Sequence, residues 1–388
     1  MNRKLIKVSV LLTGEEEASA IREVVLSGSF VSGEKVVDFE NRFASYTGSK
    51  AAAAVNSGTA ALHISLAVLG IGPGDEVIVP SLTFMSTVTS VFHQNALPVF
   101  ADIDGESFCI SHEDIRKRIT SRTKAIIPVH YLGNSADMDE IMKIAKEHNI
   151  YVIEDCAQAH GTEYKGKKVG TMGHMGVFSF YATKHMTTGE GGIITSGNKD
   201  WIEKARIIRS HGMINRDDHI CLGYNYRMNE IAAAMGLIQL KKLDAFNEQR
   251  IKNSLFILDE LGRKTPKWYS IPELSGEIKH TFFWCPLVIN TEAGYTTDDV
   301  VKRLNEKGIE VRQRYKEPLY RQKVILDYSP YPKGCPFMCQ PDADIPDYKN
   351  LHLPNAEKLA GNIIGLPNHP ALQREDLEYI VETIRNLY

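Results

Sequence analysis

From residue 50 to 200 short apolar runs alternate with stretches of helical periodicity, and this alternation constrains the fold more than any other feature of the chain. The runs are Glu76–Pro80, Leu97–Ile103, Lys124–His130, Ile150–Asp155, Gly176–Tyr181 and Gly192–Ser196. Each is short, continuous and rich in Val, Ile or Phe, which suits strands buried on both faces of a sheet. Between them Asp137–Glu147 repeats Met138, Ile141, Met142 and Ile144–Ala145 at helical spacing. Strands alternating with helices predict an α/β fold with a mostly parallel central sheet flanked by helices. Ligands collect at the carboxyl ends of such strands.

After about residue 227 the pattern changes. Asn229–Leu243 reads as one long helix continuing in charged residues to Lys252, followed by a strand at Thr281–Val288. A capping-box-like start lies at Thr296–Asp299, and Gln373–Tyr388 places Leu377, Ile380, Val381, Ile384 and Leu387 on one face. Lys316–Pro354, rich in Pro, Tyr and Asp, is expected to wrap a surface. The expected division is a large domain over 12–244 and a smaller C-terminal α+β domain over 245–388, with residues 1–11 free to pack against the latter.

Composition narrows the class of partner. Lys+Arg number 45 and Asp+Glu 48, a net charge of -3, so no global field favours nucleic acid. No run reaches about 18 apolar residues, so no transmembrane helix is expected. The apolar start of residues 1–12 is short and runs into Thr13-Gly14-Glu15. Six Cys at irregular spacing fit reduced thiols in a cytoplasmic protein. Arg116-Lys117-Arg118 reads as the solvated face of a short helix.

Three segments could carry chemistry. Asn56-Ser57-Gly58-Thr59 leads directly into a helical run, whose free N–H groups suit a phosphate; an ordinary N-cap by Ser57 or Thr59 is the plainer reading of that segment alone. Asp155 ends a strand, where a carboxylate faces either a ligand or a neighbouring cap or ion pair. Lys184 follows Ser179 by five residues and Asp155 by 29, at the same end of the inferred sheet. A lysine there can form a Schiff base with a carbonyl. Together these groups match an aldehyde cofactor carrying a phosphate and a pyridine ring. Phe84 could stack on that ring or simply pack. A metal is not expected: His160 lacks a partner at ligand spacing, and Cys335-Pro336-Phe337-Met338-Cys339 has no second pair.

The segments NSGTAALH (56–63), GIGPGDEVIVPSLTF (70–84), VIEDCAQAHG (152–161), FSFYATKHMTTGEGG (178–192), LGYNYRMNEIAAAMGLIQL (222–240) and GLPNHP (365–370) resemble the DegT/StrS-type sugar aminotransferases. Those enzymes depend on pyridoxal 5'-phosphate and have the type I aminotransferase fold. The resemblance implies that Lys184 holds the cofactor and moves the substrate proton, and that Asp155 partners the pyridine nitrogen. It places Gln158 near the ring, Phe84 on its face, and Gly58, Thr59 and Ser179 on the phosphate. Asn225 would reach the phosphate from a neighbouring subunit, implying a homodimer with shared active sites. The implied reaction moves an amino group from L-glutamate to a nucleotide-linked keto-sugar.

Candidates for the sugar side are His160, Tyr181, His185, Arg227 and Tyr315, each equally open to a packing role. Further contacts are expected from Gly28–Gly33, Arg209–Asp218 and Glu310–Tyr320. His185 departs from the apolar residue or Asn that relatives often carry after the lysine. A dehydratase branch of the family replaces that lysine with histidine, so retention of Lys184 favours transamination. A sugar dehydratase and a non-catalytic regulator on the same fold are the alternatives.

Overall fold

The computed structural model describes residues 5–263, 266–339 and 345–388. Its strands are β1 (Ala51–Val55), β2 (Glu76–Pro80), β3 (Leu97–Ala101), β4 (Thr123–Ile126), β5 (Tyr151–Asp155), β6 (Glu163–Tyr164), β7 (Lys167–Lys168), β8 (Met175–Ser179), β9 (Gly192–Ser196), β10 (Tyr269–Ser270), β11 (Ile278–Lys279), β12 (Cys285–Ile289), β13 (Arg312–Gln313) and β14 (Ile363–Leu366). Seven of them form one sheet in the order β1-β9-β8-β5-β4-β2-β3. All neighbours pair in parallel except β9, which is antiparallel to both β1 and β8. Helices cover both faces, so β2, β8 and β9 are buried along their whole length, as continuous apolar runs require.

β1 lies outside the strands read from the sequence. Its Ala51-Ala52-Ala53-Ala54 run carries helical rather than strand propensity. Pairing with β9 and burial beneath the flanking helices override that preference. At the β1–β9 step Gly192 has a specific role: a Cβ there would lie 2.5 Å from the Ser57 carbonyl oxygen. Only a glycine lets the turn before helix Gly58–Val68 rest directly on β9.

A second sheet, in the order β10-β12-β14-β13, is fully antiparallel and has its own apolar core with Leu287, Ile364, Val300, Ile380 and Ile384. Ile6 joins that core and bridges Ile309. The long helix runs from Glu230 to Gly262, capped by Asn229 accepting the Ala232 N–H at 2.8 Å, well beyond the periodic part read from the sequence. Leu237 and Leu243 pack under the first sheet, while Leu258 and Leu261 pack in the second core.

The stretch expected to wrap a surface does more than that. Leu319, Tyr320, Phe337 and Tyr348 are buried in the main core, and the Tyr348 hydroxyl donates to the Pro98 carbonyl on β3 at 2.6 Å. β12 starts four residues later than expected. At Phe282 the backbone turns left-handed (φ 48), and the N–H groups of Thr281 and Phe283 donate to the carbonyls of Gly133 and Leu132. That crossing aims Phe283 and Trp284 back at the first sheet. Cysteine usage is mixed: Cys109, Cys156, Cys221 and Cys285 are free thiols, but Cys335 is disulfide-bonded, contrary to the expectation of reduced thiols throughout. Among the described residues no helix is long and apolar enough to cross a membrane.

Candidate active site

A cleft of about 780 Å³ opens at the carboxyl ends of β5 and β8 and is closed from above by residues of the second sheet. Asp155, the last residue of β5, contributes a buried carboxylate to its floor. One carboxylate oxygen accepts the Ala157 N–H at 3.0 Å and the other the Thr87 hydroxyl at 3.3 Å. Burial raises the Asp155 pKa, against the Ala157 N–H and the nearby Lys184 charge, which both favour the anion.

Lys184 sits in the turn after β8, where its N–H donates to the Tyr181 carbonyl at 2.9 Å. Its amine lies 4.9 Å from the centroid of the Phe283 ring. Burial lowers its pKa from 10.5 to about 8; Asp155 opposes this and the Arg314 charge adds to it. About a tenth of the amine is therefore neutral and nucleophilic at pH 7, far more than for an ordinary lysine.

The helix Gly58–Val68 points its N-terminus into the same cleft. Ser57 caps it, accepting the Ala60 N–H at 3.1 Å, so the plainer reading of that residue holds. The N–H groups of Gly58 and Thr59 meet no protein acceptor among the described residues, which leaves them facing the cleft with the positive end of the helix dipole. Ser179 lies against them: a Cβ on Gly58 would come within 2.8 Å of the Ser179 Cβ.

Just beneath the cleft a second buried carboxylate fixes its geometry. Glu154 accepts N–H groups from Gly170, Met172 and Gly173 at 2.8, 2.8 and 2.6 Å, holding the loop that feeds β8. His130 Nδ1 accepts the Ala136 N–H at 3.2 Å, so its other nitrogen carries the proton and donates to Glu154 at 3.1 Å. His130, Glu154 and Cys156 approach metal-ligand spacing, but the donor atoms of the first two are engaged in these bonds. Neither Glu154 nor Thr87 stood out in the sequence. Their roles depend on backbone groups and a carboxylate 16 to 68 residues away.

Of the residues expected at the site, Gly58, Thr59, Phe84, Asp155, Gln158 and Ser179 line this one cleft with Lys184. Phe84 is 56% exposed on its wall. The Gln158 side-chain Oε1 accepts the Leu132 N–H at 3.2 Å. Tyr181 and Tyr315 also reach the cleft, and burial pushes the Tyr315 phenol up to about 12.

Four expected residues do not line the cleft. His160 is fully buried among Phe178, Phe180 and His185, with ring centroids 5.5, 5.8 and 5.4 Å away, and burial drives its pKa down to about 3. His185 turns to the far side of Lys184, onto a separate void of about 10 Å³ shared with Arg250 and Gln239. Arg227 is tied by its backbone to Val55, and Asn225 is exposed outside the cleft of its own chain. The sequence singled out Glu310–Tyr320 only as a segment. Within it, Arg312 and Arg314 line the cleft, as do Phe283 and Trp284, which had no local signal.

This donor set fits one cofactor. A lysine amine with a lowered pKa suits an aldehyde, a buried carboxylate suits a pyridinium nitrogen, and open helix N–H groups beside a serine suit a phosphate. The fold and the cleft define a pyridoxal-phosphate-dependent aminotransferase of the type I fold. The chain belongs to the DegT/DnrJ/EryC1/StrS aminotransferase family, whose model matches residues 12–385.

Among its relatives is a GDP-perosamine synthase of Caulobacter vibrioides, 37% identical over 360 residues, covering 91% of this chain and 90% of that protein. The crystal structure of an aminotransferase from Psychrobacter cryohalolentis superposes with a TM-score of 0.86 at 31% identity, covering 98% of both chains. The structure of Helicobacter pylori PseC, an aminotransferase involved in the biosynthesis of pseudoaminic acid, gives 0.87 at 27% identity over 98% of both chains.

Proposed function

We propose that the protein transfers the amino group of L-glutamate to the ketone of a nucleotide-linked sugar, making an amino-sugar nucleotide for surface polysaccharide or glycoside synthesis. The observation that carries this reading is the Lys184 amine, with its lowered pKa, facing the same cleft as Asp155. Pyridoxal phosphate supplies the carbonyl that takes up the amino group and the ring that delocalises the carbanion charge. Lys184 holds the cofactor through Nζ. The same amine would also move the proton, taking one from the donor carbon and returning one to the sugar carbon. One positioned amine of this kind is worth about 10²–10⁴ in rate.

Asp155 keeps the pyridine nitrogen protonated, and Ala157 and Thr87 hold its carboxylate in place for that task. Gly58, Thr59 and Ser179 take the phosphate, while Phe84 covers the ring and Gln158 borders it. Asn225 of the partner subunit completes the phosphate site, making the working unit a homodimer with shared active sites. Its exposure outside its own cleft supports that assignment. Tyr181 and Tyr315 are kept as sugar-side residues; His160, His185 and Arg227 act, in this reading, by packing around the site. Residues 12–244 form the cofactor unit and 245–388 the smaller unit, and the enzyme works in the cytoplasm.

The test is a panel of nucleotide-linked keto-sugars incubated with glutamate and read by mass spectrometry. An amino-sugar product with stoichiometric 2-oxoglutarate supports the reading. Loss of water from the sugar without 2-oxoglutarate would favour the dehydratase alternative and overturn it.

A further inference from the structure

Behind Lys184, on the side away from the cleft, lies a buried cation with no counter-charge among the described residues. Arg250, on the long helix, is 4% exposed. One terminal N–H donates to Asn368 Oδ1 at 3.2 Å, while its Nε–H finds no partner among the described residues. No carboxylate offsets its burial, which lowers its pKa to about 10. Arg209, buried to a similar degree, is handled differently: it pairs with Glu40 and donates to the Ala54 carbonyl.

Arg250 and His185 border one void of about 10 Å³, bounded also by Lys184, Gln239 and residues 10–12. His185 is 2% exposed, and its ring nitrogens make no well-formed hydrogen bond, although the Thr281 backbone approaches the ring. Burial first, then the neighbouring Arg250, His160 and Lys184, hold this imidazole neutral, so one ring nitrogen keeps an N–H to donate. The carboxylates that reach these walls are engaged: Asp155 with Ala157 and Thr87, and Glu17 with Gln239 and Lys242. The void thus gathers positive charge and unmet N–H groups.

A buried guanidinium without a counter-charge is costly, and a neutral water does not supply one. Room for about one water-sized particle admits a monatomic anion and excludes sulfate, phosphate or a carboxylate. Exposed Leu11 forms part of the wall, which gives an ion a path from solvent. We propose that the void between Arg250 and His185 binds a single halide ion, chloride, which neutralises Arg250 behind Lys184. The site stands whether or not the transamination reading does, so its test needs no turnover.

Holoenzyme crystals soaked in sodium bromide test the site directly, with an anomalous scattering peak expected in the void beside Arg250 and His185. In solution the readout is the difference in melting temperature between sodium chloride and sodium gluconate at equal ionic strength. That difference should be about 1–3 °C larger in favour of chloride for wild type than for Arg250→Gln. His185→Leu keeps the guanidinium and removes one donor, so it should fall between them, and it carries the comparison if Arg250→Gln does not fold. No bromide peak in the void, or an ordered water in its place, overturns the proposal. Equal differences in wild type and variants overturn it too, since a peak would then report binding at crystal concentration only. A bound bromide in a protein that never forms 2-oxoglutarate from glutamate would refute transamination and uphold the halide site.

Discussion

The floor and the rim of the cleft are built on different principles. The floor is Asp155, Ser179 and Lys184, at the ends of strands buried on both faces, with Glu154 and Thr87 pinning the backbone and carboxylate beneath. The rim is Phe283, Trp284 and Glu310–Tyr315, brought over by the second sheet. It is held by stacked rings and by two left-handed residues, Phe282 (φ 48) and Tyr315 (φ 47). The floor gets its geometry from sheet topology, which tolerates little variation. The rim gets its geometry from one long-range crossing, with Phe283 and Trp284 packed into the main core from the second sheet. We assign the cofactor chemistry to the floor and the choice of substrate to the rim.

That contrast can be broken by mutation. Lys184→Ala should have the largest effect, lowering turnover by about 10³-fold or more, measured as 2-oxoglutarate released from glutamate. A fall of less than tenfold would remove Lys184 from the chemistry.

Glu154→Gln comes next and acts on the fold rather than the reaction. It weakens a carboxylate that accepts three N–H bonds in the dry interior, so urea unfolding should show a loss of about 3 kcal/mol. A comparable change at the rim, such as Trp284→Phe, should cost less stability and shift substrate affinity instead. Equal losses at both positions would erase the distinction between floor and rim.

Gly58→Ala should weaken pyridoxal phosphate binding by about tenfold, because the new methyl meets Ser179 where the helix must stay open. Fluorescence titration of the apoprotein checks this, and unchanged affinity would move the phosphate elsewhere.

A further effect, graded rather than all-or-none, is one of pH. With the Lys184 pKa lowered to about 8, the fraction of neutral amine rises tenfold per unit below that pH and levels off above it. The rate at which apoprotein captures pyridoxal phosphate should follow the same curve. A rate still climbing at pH 10 would mean an ordinary exposed lysine.

The floor was largely legible in the sequence and the rim was not. The runs ending at Asp155 and Ser179 are continuous and apolar, and Lys184 follows within one turn, so topology alone brings these groups to one edge. Glu154 was silent because its partners are backbone N–H groups in another loop. β1 was silent because four alanines carry no strand signal. His160 and His185 fit a site by sequence proximity to Asp155 and Lys184, yet the backbone turns both rings away from the cleft into the aromatic interior. Arg314 is one arginine in a charged segment. Only the pairing of β13 with β14 and the turn at Phe282 bring it over the lysine's neighbours.

We assign the cofactor to the amine at the floor of this cleft. Borohydride reduction of the purified holoenzyme, followed by peptide mass mapping, tests it most directly. A stable pyridoxyl adduct is expected on the peptide carrying Lys184, and its disappearance in Lys184→Ala. An adduct on a different lysine, or none in a protein reconstituted with pyridoxal phosphate, would contradict it.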